Sequence, residues 1–145
     1  MLPDVNVLVA AFRKDHPQHP GAARWLGQTL NTSTDGQILR LPVGVISSFL
    51  RLVTNVKIFP APSPVGKAVD FVDWLLEDPG IGIIEQAHEW PSLRKLALEK
   101  NLTANQIPDA HLAALSISLG EPFATFDKGF RKLLPPSLLV LLAAN

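Results

Sequence analysis

Pro3-Asp4-Val5-Asn6-Val7-Leu8-Val9-Ala10-Ala11-Phe12 opens the chain with an acid and runs straight into apolar residues. Such a segment reads as a short strand that delivers Asp4 at its end and then enters a helix. Working outward, the same alternation continues. Ile38-Leu39-Arg40-Leu41-Pro42 is a short buried strand, and Val45, Phe49, Leu52 and Val53 fit one helical face after it. Three prolines make Phe59 to Pro64 a connector. Ser63-Pro64 then starts a helix that runs to about Glu77, with Val69, Val72, Leu75 and Leu76 inward. Asp78-Pro79-Gly80 turns the chain into the strand Ile81–Ile84. Helices follow over Trp90–Lys100 and from Pro108 to Gly120, then the strand Phe123–Thr125, a short helix over Asp127–Leu133 and a last strand over Leu138–Leu142. His16-Pro17 with His19-Pro20, and Asn31 to Gly36, read as loops. Strands that are apolar throughout and alternate with helices predict one α/β domain over residues 1–145: a short central parallel sheet with helices on both faces.

Composition narrows the function. In 145 residues, 47% are hydrophobic and 18% charged, which supplies one core and excludes a disordered chain. Thirteen basic residues balance thirteen acidic ones, so a generic basic nucleic-acid coat is excluded while a local basic patch is not. No cysteine is present, which removes disulfides, thiolate metal sites and cysteine nucleophiles. The early acid breaks any signal-peptide pattern, and the apolar run Leu138–Ala144 is too short to span a bilayer. The expectation is a cytoplasmic protein with no membrane partner.

Three acids share a placement. Asp4 ends the first strand, Asp109 lies in the first turn of the helix opened by Pro108, and Asp127 follows the strand Phe123–Thr125. Ligand sites in parallel sheets form at the carboxyl ends of strands, so all three have reason to converge. Carboxylates gathered without cysteines favour hard cations, Mg2+ first and Mn2+ second, since ionised acids at close quarters repel unless a cation joins them. Taken singly, Asp109 or Asp127 reads more readily as a helix cap, and it is the joint placement of three that favours a site.

Four stretches resemble the PIN-domain ribonucleases: Asp4–Ala11, Phe49-Leu50-Arg51-Leu52-Val53-Thr54-Asn55, Pro108–Leu115 and Ala124-Thr125-Phe126-Asp127-Lys128-Gly129-Phe130. They fall in the family's order along nearly the whole chain, whose length is that of the VapC toxins. The resemblance implies an Mg2+-dependent endoribonuclease, the toxin of a type II toxin–antitoxin pair. It implies a VapB-type antitoxin, a homodimer and a structured RNA substrate such as transfer or ribosomal RNA. It places Asp4, Asp109 and Asp127 at the metal, with Thr125 supporting. Asn6 either holds the Asp4 carboxylate or a water, or caps a helix. One departure stands out: the family's second-motif glutamate is missing from Val45-Ile46-Ser47-Ser48-Phe49, leaving Ser48 as a weaker candidate. Another acid common after the last aspartate is here Gly129. Both gaps imply weaker metal affinity. They open a second reading, a degenerate PIN fold that binds RNA or a partner without cutting.

Arg51, Lys128 and Arg131, with Lys132, are candidates for the RNA backbone; the alternatives are a structural ion pair for Arg51 and a solvated face for the rest. The stretch Asp70–Glu89 holds six acids and no Lys or Arg, and RNA is expected to avoid it. His111, two residues past Asp109, is expected to point away from it as a surface or dimer contact. Trp25, Trp74 and Trp90 read as core or interface rather than as base-stacking platforms.

Overall fold

A computed structural model describes residues 1–31, 38–84 and 87–145. The turn expected up to Gly36, apart from Asn31, and the acid Glu85 lie outside the described residues. The elements follow the sequence: β1 Leu2–Pro3, α1 Val5–Phe12, α2 His19–Asn31, β2 Leu39–Pro42, α3 Val43–Val53, α4 Val65–Leu76, β3 Ile81–Ile84, α5 Trp90–Glu99, α6 Gln106–Leu119, β4 Phe123–Thr125 and β5 Leu139–Leu141, with 3-10 turns at Lys128–Lys132 and Pro136–Leu138.

All strand pairs are parallel. One sheet has the order β1-β4-β5, with Leu2 opposite Phe123 and Phe123 opposite Leu139. A second pairs β2 with β3, Leu39 opposite Ile81. Met1 joins the two. Its ammonium donates to the Ile38 carbonyl at 2.8 Å and its carbonyl accepts from the Arg40 amide at 2.8 Å, the slanted pattern of a parallel ladder. The strands therefore form one short parallel array, in line with the α/β expectation.

Two apolar cores pack against this array. The first gathers Leu8, Leu39, Leu41, Phe49, Val72 and Ile81, with α1 to α4 around it. The second gathers Leu2, Leu96, Ala113, Phe123, Phe130 and Leu134, with α5 and α6 around it. Each fully buried large apolar side chain contributes about 1.5–3 kcal/mol relative to an exposed one.

Several local expectations change. Val69 is 38% exposed and Ala68 takes its place inward, because α4 turns its Ala68–Val72–Leu75 face to the core. Pro64, not Ser63, sits at the start of α4 and makes no side-chain cap. The Ser63 hydroxyl instead accepts from Arg13 at 2.9 Å. That arginine also donates to the Ala61 carbonyl at 2.9 Å and lies 4.3 Å over the Phe59 ring, so one guanidinium pins the whole proline-rich connector. Helix α6 begins at Gln106, which places Pro108 inside its first turn. His19, expected in a loop, opens α2, and its Nδ1 lies 2.8 Å from the Ala10 carbonyl.

Candidate active site

The site grows from the end of β1. Asp4 is the N-cap of α1: its Oδ1 accepts from the Val5 amide at 2.6 Å, which satisfies one orphan donor of the helix. The apolar run behind it buries Val7, Leu8, Val9 and Ala10, so the carboxylate is carried inward to 5% exposure. Its other oxygen, Oδ2, accepts from the fully buried Thr125 hydroxyl at 2.6 Å. Thr125 ends β4, the strand beside β1.

That hydroxyl is a hub. It accepts from Asn6 Nδ2 at 3.1 Å and from the Asp127 amide at 2.9 Å. Asn6 Oδ1 in turn lies 3.5 Å from the Phe126 amide. The cap of α1 is Asp4 rather than Asn6, and the Asn6 amide bonds Thr125, the residue that bonds Asp4. Asp127 Oδ1 accepts from the Gly129 amide at 2.7 Å, so Asp127 does cap its 3-10 turn, with the side chain exposed toward solvent. A Cβ on Gly129 would stand 3.0 Å from that oxygen, so the glycine leaves room for the carboxylate.

Asp109 faces the same region from α6. Burial is the largest cause pushing the Asp4 carboxyl above its ordinary value; the Thr125 and Val5 bonds pull it down, and the charges of Asp109 and Asp127 push it up again. The Asp109 carboxyl is raised by burial first and then by Asp127. The three carboxyls thus lie near enough for charge on one to bear on the protonation of another. They are not drawn into a cage: among the described residues, no three His, Asp or Glu side chains stand close enough to hold one ion together. Nor does any of the three form an ion pair among the described residues. Asp4 and Asp109 are hard oxygen donors, the kind a divalent cation takes when waters fill the rest of its shell.

Beside the acids lies a cleft of about 450 Å³. Val5, Ser48, Ile84, Pro108, His111 and Glu89 are among its walls. Ser48 lines this cleft, whose described walls include the neighbours Val5 and Pro108 but not Asp4, Asp109 or Asp127 themselves. Glu89 was legible only as the last acid of the stretch that RNA should avoid. Its Oε1 lies 3.0 Å from His111 Nε2, and that hydrogen bond is the first cause lowering its pKa. The segment after β3 brings it to the cleft, and no local sequence motif announces that. His111 is exposed, as expected. Arg51, Lys128 and Arg131 are exposed and make no ion pair among the described residues.

No helix among the described residues is long and apolar enough to cross a membrane. The fold resembles a chain in the crystal structure of VapBC2 from Rickettsia felis bound to a DNA fragment from their promoter, with TM-score 0.67, 16% identity and 98% of each chain covered. In sequence, the chain is 36% identical over 138 residues to Ribonuclease VapC31 of Mycobacterium tuberculosis, covering 89% of each. It is 35% identical over 130 residues to Ribonuclease VapC43 of the same organism, covering 89% of this chain and 86% of the relative. The PIN domain family matches residues 1–133. On these matches the chain belongs to the PIN domain family.

Proposed function

We propose that the chain is a metal-dependent endoribonuclease, the VapC-type toxin of a VapBC pair, forming one PIN domain over residues 1–145. The observation that carries this reading is the buried Asp4 carboxylate, fixed by the Thr125 hydroxyl and raised in pKa by its burial first and then by the charges of Asp109 and Asp127. An acid held at such cost to its own ionisation is expected at a functional site rather than in a mere cap.

In this reading Asp4 and Asp109 hold Mg2+, or Mn2+, and Asp127 completes the set directly or through a water. When bound, the cation supplies a more acidic water and charge neutralisation at the phosphoryl group. The protein's own part is positional. Thr125 holds the Asp4 carboxylate through its hydroxyl, and Asn6 holds that hydroxyl in turn. Arg51, Lys128 and Arg131 meet RNA phosphates as exposed cations. Their bond-cleaving step is attack of water on phosphorus, releasing a 3′-hydroxyl and leaving a 5′-phosphate. The names of the relatives support a VapB-type antitoxin as partner and RNA as substrate. Transfer or ribosomal RNA, a homodimer and a cytoplasmic location complete the proposal.

Ser48 in place of the second acid favours a second reading, a PIN fold that binds RNA or a partner without turnover. Single-turnover cleavage of structured RNA separates the two: cation-dependent products that vanish with Asp4→Asn support the nuclease, and intact bound RNA supports the binding protein.

A further inference from the structure

Trp90, the first residue of α5, is 66% exposed, the most exposed of the large apolar side chains. Among the described residues no aromatic ring packs on it, whereas Trp74 is stacked on Phe71 at 5.9 Å. Trp90 lines a hollow of about 430 Å³ with His88, Pro91 and Leu93. Ala87, Glu89 and His111 line both this hollow and the cleft beside the acids, so the two are continuous. The loop under the indole is fixed on two sides. Glu89 bonds His111 on α6 at 3.0 Å, and the Glu89 carbonyl accepts from the Leu93 amide at 2.8 Å. Arg94 lies four residues on, which puts it on the same helix face one turn away. It is exposed and forms no ion pair among the described residues.

An open indole face at the start of a helix, with an exposed cation one turn along, has the chemistry of a stacking platform for one nucleobase and its phosphate. We propose that Trp90 stacks on an unpaired base of the RNA that runs through the cleft, with Arg94 on the adjoining phosphate. The inference rests on the ribonuclease reading and deepens it. A base inside a duplex has both faces covered, so the favoured substrate carries a single-stranded or looped nucleotide next to the reacting phosphate. Trp90 is too exposed for a core residue, and its reading as an interface is one outcome of the test below.

The test uses the full chain carrying Asp109→Asn, so that RNA stays intact in Mg2+. Binding of a short unstructured RNA and of the same sequence as a duplex is measured by anisotropy with Trp90, Trp90→Ala and Trp90→Phe. Removal of one stacked base should weaken the single strand by about 5- to 150-fold. Trp90→Phe should restore most of that, and duplex binding should not change. Equal single-strand binding by the Trp90→Ala chain overturns the platform, while cleavage by the unmodified chain then leaves the nuclease standing. Failure of every chain to bind RNA overturns both. A change of oligomeric state in Trp90→Ala with unchanged RNA affinity assigns the face to a protein contact and also overturns the proposal.

Discussion

Thr125→Val removes one oxygen and keeps the side chain's volume and shape. The hydroxyl it deletes makes three contacts: it donates to Asp4 Oδ2 at 2.6 Å and accepts from Asn6 Nδ2 and the Asp127 amide. A hydrogen bond to an ionised acceptor contributes about 1.5–3 kcal/mol. The two orphaned donors add less than their full desolvation cost, since Asp127 is exposed and Asn6 only half-buried, so water reaches both. The sum is a loss of about 2–4 kcal/mol, or roughly 6–15 °C in Tm for a domain of this size. The size of the loss depends on pH. Thr125 lowers the Asp4 pKa, so its removal raises the folded pKa further. A carboxyl raised in the folded state binds more protons folded than unfolded, so its stability cost grows as pH rises through that pKa. The gap between Thr125→Val and the unmodified chain should therefore be widest at neutral pH and narrow in acid as Asp4 protonates. Thermal unfolding followed by circular dichroism across pH measures this, with Thr125→Ser as control because it keeps the hydroxyl. A Thr125→Val chain as stable as Thr125→Ser at neutral pH would refute the hub.

Three further outcomes follow from the same geometry. Asp109→Asn removes a carboxylate raised by burial and by Asp127, so it should abolish RNA cleavage yet stabilise the fold by up to about 1 kcal/mol at neutral pH; the gain should disappear in acid, and denaturant unfolding at two pH values checks it. Gly21→Ala should displace the chain's last residues or cost several kcal/mol, because a Cβ there would meet the Ala143 carbonyl oxygen at 2.0 Å; hydrogen exchange at the Gly21 amide, which donates to the Ala144 carbonyl at 3.1 Å, reports it. Lys128→Ala and Arg131→Ala should weaken RNA binding across sequences and each reduce the salt slope by about one, seen in titrations at several salt concentrations.

The fold was largely legible because its strands are short, apolar and followed by helices with regular spacing. The sequence could place Asp4, Asp109 and Asp127 at strand ends and helix starts, since those are positions along the chain. It could not show that Thr125 is the hub, because the bond to Asp4 spans 121 residues and depends on β1 lying beside β4. Val69 was misplaced because either the Ala68 or the Val69 face of α4 satisfies helical spacing; packing against α3 and β3 decides. Glu89 and Trp90 escaped for a different reason. Glu89 sits just before α5 and reaches the cleft through its bond to His111 on α6, while Trp90 beside it lines the adjoining hollow.

Cleavage of total cellular RNA by the purified chain, with Mg2+, with Mn2+ and with EDTA, beside Asp4→Asn, tests the central claim most directly. The account predicts discrete fragments bearing 5′-phosphates, dependent on the cation and absent with Asp4→Asn. Fragments that persist in EDTA or with Asp4→Asn would contradict it.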